Sequence, residues 1–147
     1  MTIQIINGPN LNLVGSREPA IYGLEDMNHY INWLIAEYPE VEINYFQSNI
    51  EGELIDCLQS CGFSADGIIL NAGGYTHTSV AIGDAIAAIK SPVIEVHISN
   101  VYAREEYRHN SFLSKNCKGI ITGLGLQVYE LALLYYMKKP TDLNENS

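Results

Sequence analysis

The sequence predicts an α/β fold, a doubly wound parallel sheet covered by helices on both faces. Three observations carry that prediction. Short apolar runs of strand length alternate with amphipathic helical patterns along the chain. Five such runs fit a length of 147 residues. Hydrophobic residues make up 47% of the chain against 17% charged, enough to build a core without a disulfide or metal staple.

The elements follow in order. Residues 3–6 form the first strand, and a polar loop runs from residue 7 to residue 23. Met27, Tyr30, Ile31, Leu34, Ile35 and Tyr38 recur at helical spacing on one face, and Pro39 ends that helix. Residues 41–47 are the second strand. Leu54, Ile55, Leu58 and Cys61 mark the second helix, with Gly62 suited to its C-terminal stop. Gly67–Asn71 is the third strand, and residues 78–90 form an alanine-rich third helix. Residues 92–97 and Gly119–Thr122 are the fourth and fifth strands, separated by a helical segment near 103–109. Residues 126–137 form the last helix. Five strands in this arrangement imply the flavodoxin-like order 2-1-3-4-5. There is no repeat, linker or low-complexity tract, so residues 1–147 are expected to form a single domain, frayed over about 141–147.

The last helix, VYELALLYYMK, is apolar nearly all round. One face packs on the sheet and the other needs a second cover, either a homo-oligomer interface or a long loop folded over it.

Charge and cysteine content exclude several classes of function. The net charge of −9 argues against a nucleic-acid groove and against an anionic membrane surface. No apolar run approaches the ~20 residues that span a bilayer, and the start MTIQIINGPN lacks a basic leader region. Cys57, Cys61 and Cys117 are odd in number and lack zinc-like spacing, as expected of reduced thiols in a cytoplasmic protein. The histidines form no HExxH pattern, no GxSxG elbow or Walker loop occurs, and no lysine lies within an apolar strand. Neither a metal nor a cofactor is expected.

Ligands of open α/β sheets bind beyond the carboxyl ends of the strands. Four polar clusters follow the strands here. They are Asn7 to Asn10 with Arg17 and Tyr22, Gln47 to Asn49, Asn71 to Ser79, and Glu95 and His97 running on to Ser99, Arg104 and Arg108. The chain has only three arginines, and all fall in these stretches, where they could hold or stabilise an anion. Surface pairing with Glu18, Glu105 or Glu106 is the plainer alternative. Glu95 and His97 lie two apart on a strand and share a face, so the carboxylate can orient the imidazole as a proton donor. Taken alone they read first as a self-satisfied buried pair, and it is the neighbouring Arg and Asn clusters that favour chemistry. Tyr22 could act as a base only if cations lowered its pKa; a shift of ~3 units is ~4 kcal/mol, within reach of one or two close arginines in a dry site. Gly15 and Gly23 would let its loop close as a lid. A tyrosine packed for structure is the competing reading. Asn71-Ala-Gly-Gly before a helix suits a carboxylate or phosphate, or is simply a tight turn.

At these residues the sequence closely resembles the type II 3-dehydroquinate dehydratases. The likeness is carried by NGPNLNL from Asn7, Arg17-Glu-Pro with Tyr22-Gly23, Phe46-Gln-Ser-Asn, NAGGYTHTS from Asn71, IEVHISN from Ile94 and AREEYRH from Ala103. The resemblance implies a flavodoxin-like enzyme without metal or cofactor, assembled as a dodecamer of four trimers. It would convert 3-dehydroquinate to 3-dehydroshikimate in the shikimate pathway by anti elimination through an enolate. By matching position, Tyr22 would take the C2 proton, Arg17 would favour its phenolate, and His97, oriented by Glu95, would protonate the leaving C1 hydroxyl. Asn10 would hold a water against the enolate. Asn71, His77, Ile98, Ser99 and Arg108 would bind substrate, Asp84 would reach in from a neighbouring subunit, and Arg104 would play a supporting part. Gly83 departs from the pattern, standing where an arginine is common. Two rivals are weighed against this. A non-enzymatic anion-binding domain need not keep Tyr22, His97 and both arginines together, and a flavin carrier wants a Ser/Thr-rich first loop in place of NGPNLNLVG.

Overall fold

A computed structural model describes residues 1–15 and 26–138 of the chain. The strands are β1 (Thr2–Asn7), β2 (Glu42–Gln47), β3 (Gly67–Asn71), β4 (Val93–His97) and β5 (Gly119–Thr122). They pair in the order β2-β1-β3-β4-β5, every pair parallel, as the alternating pattern predicts. The helices are α1 (Met27–Glu37), α2 (Glu51–Cys61), α3 (Val80–Ala88) and α4 (Gln127–Met137).

Strand alternation splits the core in two. Ile3, Ile5, Ile69, Ile94 and Val96 point to one face, where α1 supplies Tyr30, Ile31 and Leu34, and α4 supplies Tyr129, Ala132 and Leu133. Ile6, Ile68, Leu70 and Val93 point to the other, against Leu54 and Leu58 of α2 and Ile82 and Ile86 of α3. Each fully buried aliphatic side chain contributes about 1.5–3 kcal/mol relative to exposure. The sheet is therefore fixed from both sides, and side-chain parity along a strand decides which layer a polar residue enters.

Three local expectations are corrected. The third helix starts at Val80 rather than Thr78, because Gly73–His77 winds as a 3-10 turn, and Ser79 caps α3 by accepting the Ile82 N–H at 2.9 Å. It ends at Ala88, since the Lys90 and Ser91 N–H groups donate to the Gly62 carbonyl instead of prolonging the helix. The 103–109 segment is not one helix but two 3-10 turns, Val101–Ala103 and Glu106–His109, with Arg104 extended between them. Gly62 does close α2, but at φ −71° rather than in the left-handed region. Its lack of a side chain matters because a Cβ would sit 2.5 Å from the Ile89 side chain. Gly83 is explained in the same way. A Cβ there would lie 2.5 Å from the Phe112 carbonyl oxygen, so α3 packs close to the 110–114 segment only with glycine at that position.

The outer side of α4 leaves Leu134 and Tyr135 43% and 48% exposed. Among the described residues, no helix is long and apolar enough to cross a membrane.

Candidate active site

Strand register sets the site. Asn7 is level with Gln47 on one side and Asn71 on the other, and His97 is level with Thr122, so these strand ends share one rim. A cleft of about 210 Å³ opens there, and Asn10, Asn71, His77, His97, Ile98, Ser99, Arg104 and Arg108 all line it. Pro9, Gly73 and Gly74 complete the wall beside β1 and β3. Arg17, Tyr22, the expected lid and the 141–147 tail lie outside the described residues.

Glu95 and His97 point to the α2/α3 face, where Val93 of the same strand is part of the core. Glu95 is 1% exposed, and its Oε2 accepts from His97 Nε2 at 2.5 Å. The other carboxylate oxygen accepts from the Ser114 hydroxyl at 2.7 Å and the Ser111 hydroxyl at 3.2 Å. Burial pushes this carboxyl up, but the hydrogen bond and charge of His97 and the two serine hydroxyls outweigh it and hold Glu95 below the ordinary carboxylate range. A carboxylate on Nε2 fixes the proton there and leaves Nδ1 as the nitrogen that can serve a ligand.

His77 stacks on His97 with centroids 6.3 Å apart. Its Nδ1 donates to the Asn110 carbonyl at 2.7 Å. Burial lowers its pKa, the Asn110 carbonyl opposing, so the ring is neutral at pH 7 and Nε2 is an acceptor. The two stacked imidazoles thus differ. One is clamped by a charge, while the other is kept neutral by burial and oriented by a backbone carbonyl.

The backbone beyond β4 is pinned. Gly123 and Gly125 donate to the carbonyls of His97 and Ile98, each at 3.0 Å, and the Thr122 hydroxyl donates to that of Ser99 at 3.1 Å. Gly123 adopts φ +90°, a conformation that admits glycine at little cost. Arg104 donates to the Ser99 hydroxyl at 3.3 Å, and Arg108 Nε pairs with Glu105 at 2.5 Å, with its guanidinium 5.3 Å from the centre of the Tyr107 ring. Asn10 is the one non-glycine residue with positive φ among the described residues, at 70°. Its N–H donates to Asn49 Oδ1 at 3.0 Å. Such strain, of order 1–3 kcal/mol, persists where the surroundings fix it.

Asp84 is the expected site residue that this chain does not bring to the cleft. It lines a separate hollow with Val80, Gly83, Phe112 and Lys115. Conversely, sequence reasoning missed Ser111, Ser114 and Tyr129. The two serines meet Glu95 from 16 and 19 residues away, and Tyr129 meets Asn7 from 122 away, distances that no local pattern encodes. Among the described residues, no three His, Cys, Asp or Glu side chains gather as a metal set.

A parallel α/β sheet with arginines and neutral donors around a buried carboxylate–imidazole pair at its carboxyl rim has the makeup of an acid–base enzyme for a small anion. Comparison with known proteins gives the family. The chain belongs to the class II dehydroquinases, whose family model matches residues 1–137, and with them to the hydro-lyases. It is 50% identical over 145 residues to the 3-dehydroquinate dehydratase of Prochlorococcus marinus, covering 95% of this chain and 99% of the relative. It is 55% identical over 134 residues to that of an Exiguobacterium species, covering 90% and 92%. The crystal structure of type II dehydroquinase from Butyrivibrio crossotus superposes with a TM-score of 0.90 at 44% identity, covering 94% of this chain and 98% of that one. The Propionibacterium acnes type II dehydroquinase gives 0.88 at 36% identity, covering 93% and 97%.

Proposed function

We propose that this chain dehydrates 3-dehydroquinate to 3-dehydroshikimate, a step of the shikimate pathway, by anti elimination through an enolate. The observation that carries the reading is the Glu95–His97 pair under a cleft rimmed by arginines, in a chain of the dehydroquinase family. The Tyr22 phenolate, favoured by Arg17, removes a C2 proton, and the electron pair moves onto the C3 carbonyl oxygen as an enolate. Asn10 holds a water against that oxygen. The enolate then collapses, the C1–O bond breaks, and His97 gives its proton to the departing hydroxyl, so that one water leaves. Glu95 compensates the charge of the imidazolium before that transfer, with Nδ1 as the donating nitrogen. Asn71, the amides of Ile98 and Ser99, His77 and Arg108 bind the carboxylate and ring hydroxyls, with Arg104 in support. No metal or cofactor takes part.

Asp84 acts on a neighbouring subunit's cleft in a dodecamer of four trimers. Its position away from its own chain's cleft and the exposed Leu134 and Tyr135 support an assembly. The unpaired Cys57, Cys61 and Cys117 support a cytoplasmic, reducing setting.

The test is to add 3-dehydroquinate to the purified protein in the presence of a chelator and follow enone absorbance. The native protein is expected to turn over, and Tyr22→Phe to lose on the order of 10²–10⁴-fold in kcat while still binding ligand. Near-native kcat in Tyr22→Phe would remove Tyr22 as the base. Sedimentation of the active enzyme at the monomer mass of 16.3 kDa would remove the assembly.

A further inference from the structure

The carboxyl ends of β1 and β3 are joined beneath the cleft by a buried run of neutral groups that the acid–base chemistry does not use. Tyr129 of α4 is 0% exposed. Its hydroxyl donates to Asn7 Oδ1 at 2.7 Å and accepts from Asn71 Nδ2 at 3.0 Å. Asn7 Nδ2 donates onward to the Tyr45 hydroxyl at 3.2 Å, and Asn71 Oδ1 accepts the Gly73 N–H at 3.2 Å.

The direction of this chain is forced. A phenol has one proton to give, and here it goes to Asn7, so Tyr129 can only accept from Asn71. The whole run could be reversed only by turning the Asn71 amide over. That would set its NH₂ against the Gly73 N–H, donor against donor, and a backbone N–H cannot be turned over to relieve the clash. Tyr129 and Gly73 therefore grip the two ends of one amide and define which atom points where. With one Nδ2–H spent on Tyr129 and one Oδ1 lone pair on Gly73, Asn71 keeps one N–H and one lone pair for the cleft it lines. A side chain gripped in this way loses no rotamer freedom on binding.

We propose that Tyr129 is a positioning residue of the dehydratase site, which sets the orientation of the Asn71 amide so that it offers an N–H to an oxygen of the bound substrate. This rests on the reading of the cleft as the 3-dehydroquinate site. It assigns part of substrate affinity to a hydroxyl that touches no substrate.

Tyr136 provides an internal control. It lies on the same helix, and its one hydroxyl proton is shared between the Ile68 and Pro92 carbonyls, near the opposite ends of β3 and β4. Tyr129→Phe, Tyr136→Phe and Asn71→Ala are compared by steady-state kinetics with 3-dehydroquinate, by thermal melting and by crystallography. Tyr129→Phe is expected to raise KM about tenfold with kcat within about threefold, as loss of uniform binding does. Tyr136→Phe should lose stability with native KM, and Asn71→Ala should raise KM at least as much as Tyr129→Phe. In the Tyr129→Phe crystal structure the Asn71 side chain should have turned from its native orientation. Native KM in Tyr129→Phe with Asn71 in place overturns the proposal, while a raised KM in Asn71→Ala in the same series would leave the substrate reading standing. Native KM in Asn71→Ala, or no turnover by the native protein, defeats the substrate role of Asn71 and with it the proposal that Tyr129 serves that role. Should Tyr129→Phe fail to fold, neutron diffraction of the native protein reads the same orientation. Deuterons on Asn71 Nδ2 directed at the Tyr129 oxygen are expected, and Oδ1 found in that place overturns the proposal.

Discussion

Two buried polar networks flank the same cleft on opposite faces of the sheet, and they are built on different physics. On the α2/α3 face Glu95 meets His97, Ser111 and Ser114, a carboxylate saturated by donors. On the α1/α4 face Asn7, Asn71, Tyr45 and Tyr129 form a run of neutral groups. Both obey the rule that a buried polar atom must find a partner, because an orphaned one costs ~1–3 kcal/mol. Only the first carries charge, so only the first can move a proton or respond to pH in the acid range. The second can hold geometry at any pH where the fold survives. A strand end that points to one layer thus meets a charged network, and a neighbouring strand end that points to the other meets a neutral one, with side-chain parity as the switch between them.

The comparison breaks most visibly at His97. His97→Ala removes the proposed proton donor from the ionic network, and kcat is expected to fall on the order of 10²–10⁴-fold. The measurement is steady-state turnover at neutral pH with folding checked by melting.

A smaller effect separates the networks by pH. Glu95 is held below its ordinary value of 4.5, so the unfolded chain binds a proton more readily than the folded one between those two values. The stability it contributes is complete above 4.5 and is lost as pH falls through the folded value. Ser114→Ala removes a hydrogen bond to this charge and should cost about 1.5–3 kcal/mol near neutrality. That deficit should shrink on acidification, as the native protein loses the same contribution. Urea unfolding of both proteins across the acid range reads it, and a deficit constant with pH would mean that Ser114 does not act on the carboxylate.

The smallest effect sharpens the contrast. Tyr45→Phe removes the terminal acceptor of the neutral run and should cost about 0.5–1.5 kcal/mol, with no dependence on pH over the same range. Its KM should stay within about twofold of native, since the Asn71 grip is intact.

Much of this was legible in the sequence, for identifiable reasons. The sheet order followed from alternating strand and helix periods, and Glu95 and His97 were readable as a pair because spacing by two on a strand is a local geometric fact. Their setting was not. Ser111 and Ser114 reach Glu95 only after the 110–114 segment packs against α3, where Gly83 allows the close approach. The 103–109 stretch reads as one helical segment in the sequence, but the capping side chain of Asn100 and the extended Arg104 divide it into two 3-10 turns. Tyr129 looked like one more apolar residue of an apolar helix, and its hydroxyl acquires a purpose only where α4 crosses the ends of β1 and β3.

The central claim is that proton removal from C2 and departure of the C1 hydroxyl are separate steps, the second served by the ionic network. It is tested most directly by placing His97→Ala with 3-dehydroquinate in deuterated water and following C2 by NMR alongside enone absorbance. Deuterium entering C2 while the enone fails to form is the expected result. Enone formation at a near-native rate would contradict the claim, because the hydroxyl would then be leaving without the acid that Glu95 holds in place.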